Sequence, residues 1–351
     1  MMLTMALSPL AFEIPEICTS EISIGNFCAL AIAFLRDIEE NCIILTDACS
    51  PSVIGKALTE ALDRWPHKYR VEAKARFMRL RERGRFISRS DYLANPCCRG
   101  RPCGHTLGLI HQVIPAAVLM NDCCVPCVQS HLDKIEVFTL SGYQISRFAQ
   151  LRREITRIGV RFAEMCQSQA EERIFSPLLR YAKHVKVVDR YIGRSVMSQG
   201  ATVPGLSKEY LSSLDWIIEI YKQSVLARGI SSKSTFEVWC GLDIYRLPDP
   251  NTAIGYLRNW ETSVKARQVP NFKLFIKREI HTGEMPHARY FITDQLTILV
   301  DRGFELLCSD SQMRAHSLHP TTSPRPLRDC EFMLLRDSSR IVTDLRRLED
   351  L

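Results

Sequence analysis

The segment with the clearest chemical content is Pro286-His287-Ala288-Arg289-Tyr290-Phe291-Ile292-Thr293-Asp294, which sets an imidazole and a guanidinium two positions apart and a carboxylate beyond them. Tyr290–Thr293 and Thr297–Val300 read as a hairpin of short strands. Side chains alternate along an extended chain, so His287 and Arg289 project to one side. Such a pair can grip one phosphate group. The imidazole can attack phosphorus or shuttle a proton, and the guanidinium can stabilise the added negative charge. Asp294, past the strand, can orient a neighbouring histidine. These three form the candidate catalytic set. Asp189 and Tyr191 follow the strand Val185–Val188, at the kind of strand end where α/β sites gather, and with Arg302 they form a candidate phosphate-binding set. Glu279 and His281 read as part of a loop over the motif. The competing reading is a strand whose His and Arg satisfy local hydrogen bonds, with Tyr191 in the core.

A second chemical cluster is cysteine-rich. Of the 14 cysteines, six fall within 97–127, in the text P-C-C-R-G-R-P-C-G-H and, after an apolar stretch, C-C-V-P-C. Zinc takes four soft ligands in a tetrahedron, often as two pairs. Cys98, Cys103, Cys124 and Cys127 supply such a set, with Cys97, Cys123, His105 and His131 as substitutes. Four protein ligands leave no open position, so this zinc is expected to be structural. Buried free thiols or a redox pair are the other readings. Asp47, which ends the strand Cys42–Thr46, is a lone candidate for a metal carboxylate of a nuclease of the PIN type and otherwise a turn residue.

The elements that must position these groups follow from periodicity. Ile22–Leu35 reads as a buried helix, Ser52 caps a helix through Leu62, and the basic stretch Glu72–Arg83 reads as a helix stopped by Gly84. Ile135–Leu140 reads as a strand. Phe148, Leu151, Ile155, Ile158, Phe162 and Met165 recur at helical spacing and predict one long amphipathic helix. Its opposite face would carry Arg153, Arg157 and Arg161, a candidate nucleic-acid contact or an ordinary solvated face. Ser207 is placed to cap a helix through Val225. Phe236–Trp239 and Phe272–Ile276 read as strands around a helix Asn251–Val264. Strands separated by helices predict the α/β class. The expected division is an N-terminal α/β domain over 1–140 with the cysteine-rich insert at 96–131, a connecting helix over 141–175, a second α/β domain over 176–310, and a linker with a terminal helix over 311–351.

With 351 residues, 46% hydrophobic and 24% charged, the chain is neither low-complexity nor largely disordered. Its longest apolar run is too short and interrupted for a membrane span, and the first 20 residues lack a basic, clean secretory signal, so a cytoplasmic location is expected. The net charge of +7 permits a phosphate-rich partner.

At His287-x-Arg289-x-x-x-x-Asp294 the chain resembles the phospholipase D superfamily, whose signature is H-x-K-x-x-x-x-D on a strand; Arg289 stands in the lysine position. The resemblance covers about 180–310, including Asp189-Arg190-Tyr191-Ile192-Gly193. It implies a phospholipase-D-like α/β sandwich and phosphodiester chemistry without a metal, through a covalent phosphohistidine at His287, with two motifs converging. A second motif is absent: His184-Val185-Lys186 is followed by Asp189, not by an Asp at the required spacing. A homodimer would then supply it. The Asp301-Arg302-Gly303-Phe304 segment is more similar to the non-catalytic phospholipase-D-like domain at the C-terminus of some microtubule-interacting-and-trafficking proteins. That domain carries His-x-Arg and binds lipid headgroups. The leading expectation is a phosphodiesterase acting on nucleic acid, such as a metal-independent nuclease effector of a bacterial defence system. The alternatives are a non-catalytic phosphate-binding module for nucleic acid or anionic phospholipid, and an interaction subunit with protein partners.

Overall fold

The structure is a computed structural model that describes residues 2–47, 52–89, 117–119, 135–195, 208–243, 249–279 and 285–335. The chain is an α/β protein and divides into two compact units, one ending at Ile155 and the other beginning at Thr156. The four cysteines expected to hold zinc, together with Ser207, His281 and the stretch from Arg340 to Leu351, lie outside the described residues. Among the described residues, no group of three or more His, Cys, Asp or Glu is arranged to hold a metal, and no helix is long and apolar enough to cross a membrane.

The first unit is built on strands β1 (Leu3–Leu7), β2 (Cys42–Asp47), β3 (Phe86–Arg89), β4 (Ala117–Leu119) and β5 (Glu136–Phe138). All pairings are parallel, in the order β3-β2-β1-β4-β5. Helix α1 (Glu21–Asn41) starts at a capping box formed by Ser20 and Ser23 and buries Cys28, Ala31, Ile32, Leu35 and Ile38, a stripe at helical spacing. Helices α2 (Val53–Asp63) and α3 (His67–Glu82) follow, and α4 (Arg147–Glu154) closes the unit.

Asp47 has a structural post. One carboxylate oxygen accepts hydrogen bonds from the Ser52 hydroxyl at 2.6 Å and the Ile54 amide at 3.0 Å, and the other accepts from the Val53 amide at 2.8 Å. Burial pushes its carboxyl up, but these donors outweigh burial and hold it below its ordinary value. Both oxygens thus serve the start of α2, and the metal-carboxylate reading is not supported. Asp47→Ala is expected to lower stability by about 1–2 kcal/mol at neutral pH, as for other lost helix caps. A carboxylate with a depressed folded value stabilises above its unfolded pKa and loses that effect as pH falls through the folded one. The gap in urea midpoint between wild type and variant should therefore be full at pH 7 and shrink below about pH 4.

The second unit does not begin with the long connecting helix expected from residues 148–165. The helix ends at Glu154, and β6 (Arg157–Val160) is a strand. Thr156, Ile158 and Val160 are β-branched and alternate along the strand, and the side-chain preference for a pleated surface wins over the helical spacing. Arg153, Arg157 and Arg161 accordingly lie on a helix, a strand and a loop, not on one face; Arg157 is paired with Glu331.

A helical run follows: α5 (Gln167–Ala170), a π-turn (Glu171–Phe175) and α6 (Ser176–Leu179). Then come β7 (His184–Val188), α7 (Tyr191–Ser195), α8 (Lys208–Ala227), β8 (Thr235–Asp243), α9 (Pro250–Ala266), β9 (Phe272–Glu279), β10 (Tyr290–Thr293), β11 (Thr297–Asp301), α10 (Asp310–Ala315) and β12 (Cys330–Leu335). The sheet has the order β6-β12-β11-β10-β7-β8-β9, parallel over β7-β8-β9 and antiparallel elsewhere. Residues 311–328 are no linker: they carry most of α10 and deliver β12 between β11 and β6.

The core of this unit lies under the helices. Phe236, Phe272, Phe291 and Phe332 share one sheet face. Phe175, from the π-turn, meets Phe291 and Phe332 at centroid distances of 6.1 and 5.8 Å, Tyr221 meets Phe236 at 5.2 Å, and Trp260 meets Phe272 at 5.6 Å. Each fully buried ring of this kind contributes about 1.5–3 kcal/mol. That packing fixes the central strands, whose ends carry the candidate site.

Candidate functional site

β7 is an interior strand of the second unit, flanked by β8 and β10. At its C-terminal end Val188 registers with Trp239 and with Tyr290. The next residues, Asp189, Arg190 and Tyr191, therefore emerge beside the segment that enters β10, which carries His287 and Arg289. The sequence brings these two stretches together through antiparallel pairing of two short apolar strands, each rich in β-branched or aromatic residues.

Asp189 is fully buried. Its two oxygens accept from the Tyr191 amide at 2.8 Å and the Phe304 amide at 3.0 Å, with the Tyr210 hydroxyl at 3.5 Å. Burial is the largest influence on it and pushes its carboxyl up to about 6, against these donors and the nearby charge of Arg289. Asp189 thus ties the turn after β11 to the end of β7 rather than facing a ligand. Gly303 makes that approach possible: its φ is +83°, and a Cβ there would fall 2.5 Å from an Asp189 oxygen and 3.4 Å from Arg289 Nε.

Arg190 is the residue that the sequence reading passed over. Its side chain is 1% exposed, and its Nε donates to Glu279 at 3.0 Å, an ion pair in which Glu279 is equally buried. The other Glu279 oxygen accepts from the Met285 amide at 3.1 Å. Arg190 Nη1 lies 3.0 Å from His287 Nε2 and 3.3 Å from Nδ1. Arg190 Nη2 is buried without a hydrogen-bond partner. Arg289 lies over Tyr191, its guanidinium carbon 4.5 Å from the ring centroid, and its Nε is likewise buried and unpaired. The signal that could have found Arg190 is its place in Asp189-Arg190-Tyr191, one step past a buried strand.

The arrangement brings together His287, Arg289, Asp189 and Tyr191 from the sequence-predicted set and adds Arg190; Glu279, expected in a loop over the motif, is instead the buried last residue of β9. It does not bring in Asp294. That residue sits at the far end of β10, roughly 10 Å along the strand, where it accepts from the amides of Lys183 at 2.9 Å and His184 at 3.3 Å. It fastens the start of β7 and has no contact through which to orient His287. Arg302 neighbours Gly303 but is exposed and paired with Asp329 at 3.6 Å. Arg157 is held by Glu331 instead.

No protein-family model matches the chain, and no curated protein sequence is similar to it. The chemistry of the site rests on its geometry.

That geometry bears on what His287 can do. A guanidinium only donates, so the imidazole nitrogen that Arg190 contacts must act as acceptor. A nucleophilic histidine needs its lone pair free and its other nitrogen held by an acceptor that orients it. Here the partner of His287 among the described residues is a cation. Buried donors without partners are uncommon in native proteins, and the two here, on Arg190 and Arg289, call for an explanation.

Proposed function

We propose that the C-terminal unit is a phosphate-binding module in which Arg190, Arg289 and His287 seat the phosphate group of a polyanionic ligand. The observation that carries this reading is the Arg190 guanidinium 3.0 Å from the exposed His287 imidazole, with Arg289 stacked on the adjoining Tyr191, and a buried N–H without a partner on each guanidinium. Arginine's planar fork matches phosphate oxygens, and charge-assisted hydrogen bonds of this kind are about twice as strong as neutral ones. The resemblance to phospholipase-D-like domains that carry His-x-Arg and bind without turnover supports the same reading, and the proposal extends to a phospholipase-D-like form for this unit. The net charge of +7 favours a nucleic-acid strand as the source of the phosphate. The cysteine-rich segment is assigned a structural zinc on its ligand spacing alone.

The test is binding of labelled single- and double-stranded DNA and RNA, and of vesicles rich in anionic phospholipid, by wild type and Arg289→Ala, each over a range of salt. Nucleic-acid binding that weakens about tenfold or more in the variant, and falls steeply with salt, is the expected result. Capture by vesicles alone would move the phosphate source to lipid. Binding untouched by Arg289→Ala would overturn the site. The same oligonucleotides incubated in EDTA test turnover: cleavage that is lost in His287→Ala would replace the binding reading with a hydrolytic one.

A further inference from the structure

We propose that an anion seated on Arg289 binds together with one proton, taken up by Asp189. The inference rests on the phosphate-site reading above. Its ground is the closeness of the two groups around Gly303, where one point lies 2.5 Å from an Asp189 oxygen and 3.4 Å from Arg289 Nε. Arg289 is the cation acting on Asp189, yet no hydrogen bond joins them; the carboxylate's donors are the Tyr191 and Phe304 amides and the Tyr210 hydroxyl. The site thus holds a buried carboxylate that relies on Arg289 for charge compensation at a distance. An incoming anion takes over that compensation and places a second negative charge nearby in a region of low dielectric, where like charges cannot both persist cheaply.

The carboxylate is already poised to give way. Burial pushes it up to about 6, so at neutral pH protonation is a small step. The other titratable groups packed around it do not compete for the proton. Burial holds the Tyr210 hydroxyl well above its ordinary value, with the charges of Asp189 and Glu305 adding to it. Burial likewise pushes the Cys240 thiol up to about 12, with Asp189 reinforcing it. Arg190 is occupied by Glu279 and His287. The proton balance is simple: one proton leaves the buffer and one Asp189 oxygen becomes O–H, with no other bond made or broken.

The sign follows from linkage. If the bound anion raises the proton affinity of Asp189, anion affinity increases as pH falls and levels off once Asp189 is protonated in the free protein, near pH 6. Up to about tenfold per pH unit is expected from a single linked proton. The experiment is calorimetric titration of the full chain with a 5′-hydroxyl oligothymidylate, whose charge is constant from pH 6 to 8, at pH 7 in two buffers of different ionisation enthalpy. Wild type should take up close to one proton. In His287→Gln, which removes the imidazole beside Arg190 and is expected to weaken binding, the uptake per anion bound should persist. Asp189→Asn should abolish it. Should Asp189→Asn fail to fold, Tyr210→Phe serves instead: it removes a donor from the carboxylate and should move the onset of the affinity gain to higher pH. Binding without proton uptake would overturn this inference alone. So would uptake that disappears in His287→Gln and survives in Asp189→Asn, or an onset unmoved in Tyr210→Phe. Absence of oligothymidylate binding at every pH would overturn the nucleic-acid form of the phosphate-site reading and take this inference with it.

Discussion

Arg190→Met is expected to lower the stability of the C-terminal unit by about 3–5 kcal/mol and to abolish anion binding. Removing one member of a buried ion pair leaves its partner as an uncompensated charge, and Glu279 is as fully enclosed as Arg190. The measurement is a thermal or urea melt alongside oligonucleotide binding. Stability and function can be separated in the double variant Arg190→Met/Glu279→Leu, because apolar replacement of a whole buried pair is often neutral or stabilising. The double variant should recover most of the lost stability and none of the binding. A single variant that melts like wild type would show that Glu279 is not an ionised, buried partner. A double variant that binds as wild type does would remove Arg190 from the site.

The second large effect is expected at Gly193→Ala. A methyl group at Gly193 would overlap the backbone carbonyl oxygen of Gly241, so neither a rotamer change nor a side-chain shift can relieve it. Gly241 in turn lies under the ion pair: a Cβ there would fall 2.7 Å from Glu279 Oε2 and 3.2 Å from Arg190 Cγ. The close contact of α7 with β8 is therefore what holds the Asp189–Tyr191 turn against the strand ends. A loss on the order of 3 kcal/mol is expected, at the upper end of overpacking effects, with weakened anion binding because Arg190 and Tyr191 move with α7. Gly255→Ala is the control. It lies in α9 with nothing within 4 Å of the new methyl, and should be neutral or slightly stabilising. Equal effects at the two positions would mean that the close contact is not what makes Gly193 necessary.

These two residues also show where the sequence was readable and where it was not. The α/β class, the strands through Ile44, Val187, Phe236, Phe272 and Phe291, and the cap at Ser52 all follow from local patterns of period and turn chemistry. That His287, Arg289, Asp189 and Tyr191 would be neighbours was also legible, because the strands that carry them read as partners in one sheet. Arg190 was not, since its meaning depends on Glu279, 89 positions away, and only strand register brings the two together. Asp294 misled for a related reason. Its spacing from His287 satisfies a motif, but a strand separates the two, and its hydrogen bonds are with the chain start of β7. The stretch from Phe148 to Met165 misled because spacings of three and four can be met by chance where a helix gives way to a strand. Thr156, Ile158 and Val160 carried the contrary signal in their branched side chains. Ser, Pro and His made 311–328 look like a linker, because composition says nothing of what a loop must deliver at its far end.

The insertion of β12 between β11 and β6 has a consequence for biosynthesis. The strand that opens the unit, at Arg157–Val160, finds its sheet neighbour among the described residues in the strand at Cys330–Leu335. During vectorial synthesis every other strand of this sheet emerges first, and β11 waits with an unsatisfied edge while β6 waits with no partner. Closing a loop of such length is entropically slow, and open edges are where nascent chains associate wrongly. The β6 edge of the sheet can therefore be completed only after Leu335 has been synthesised.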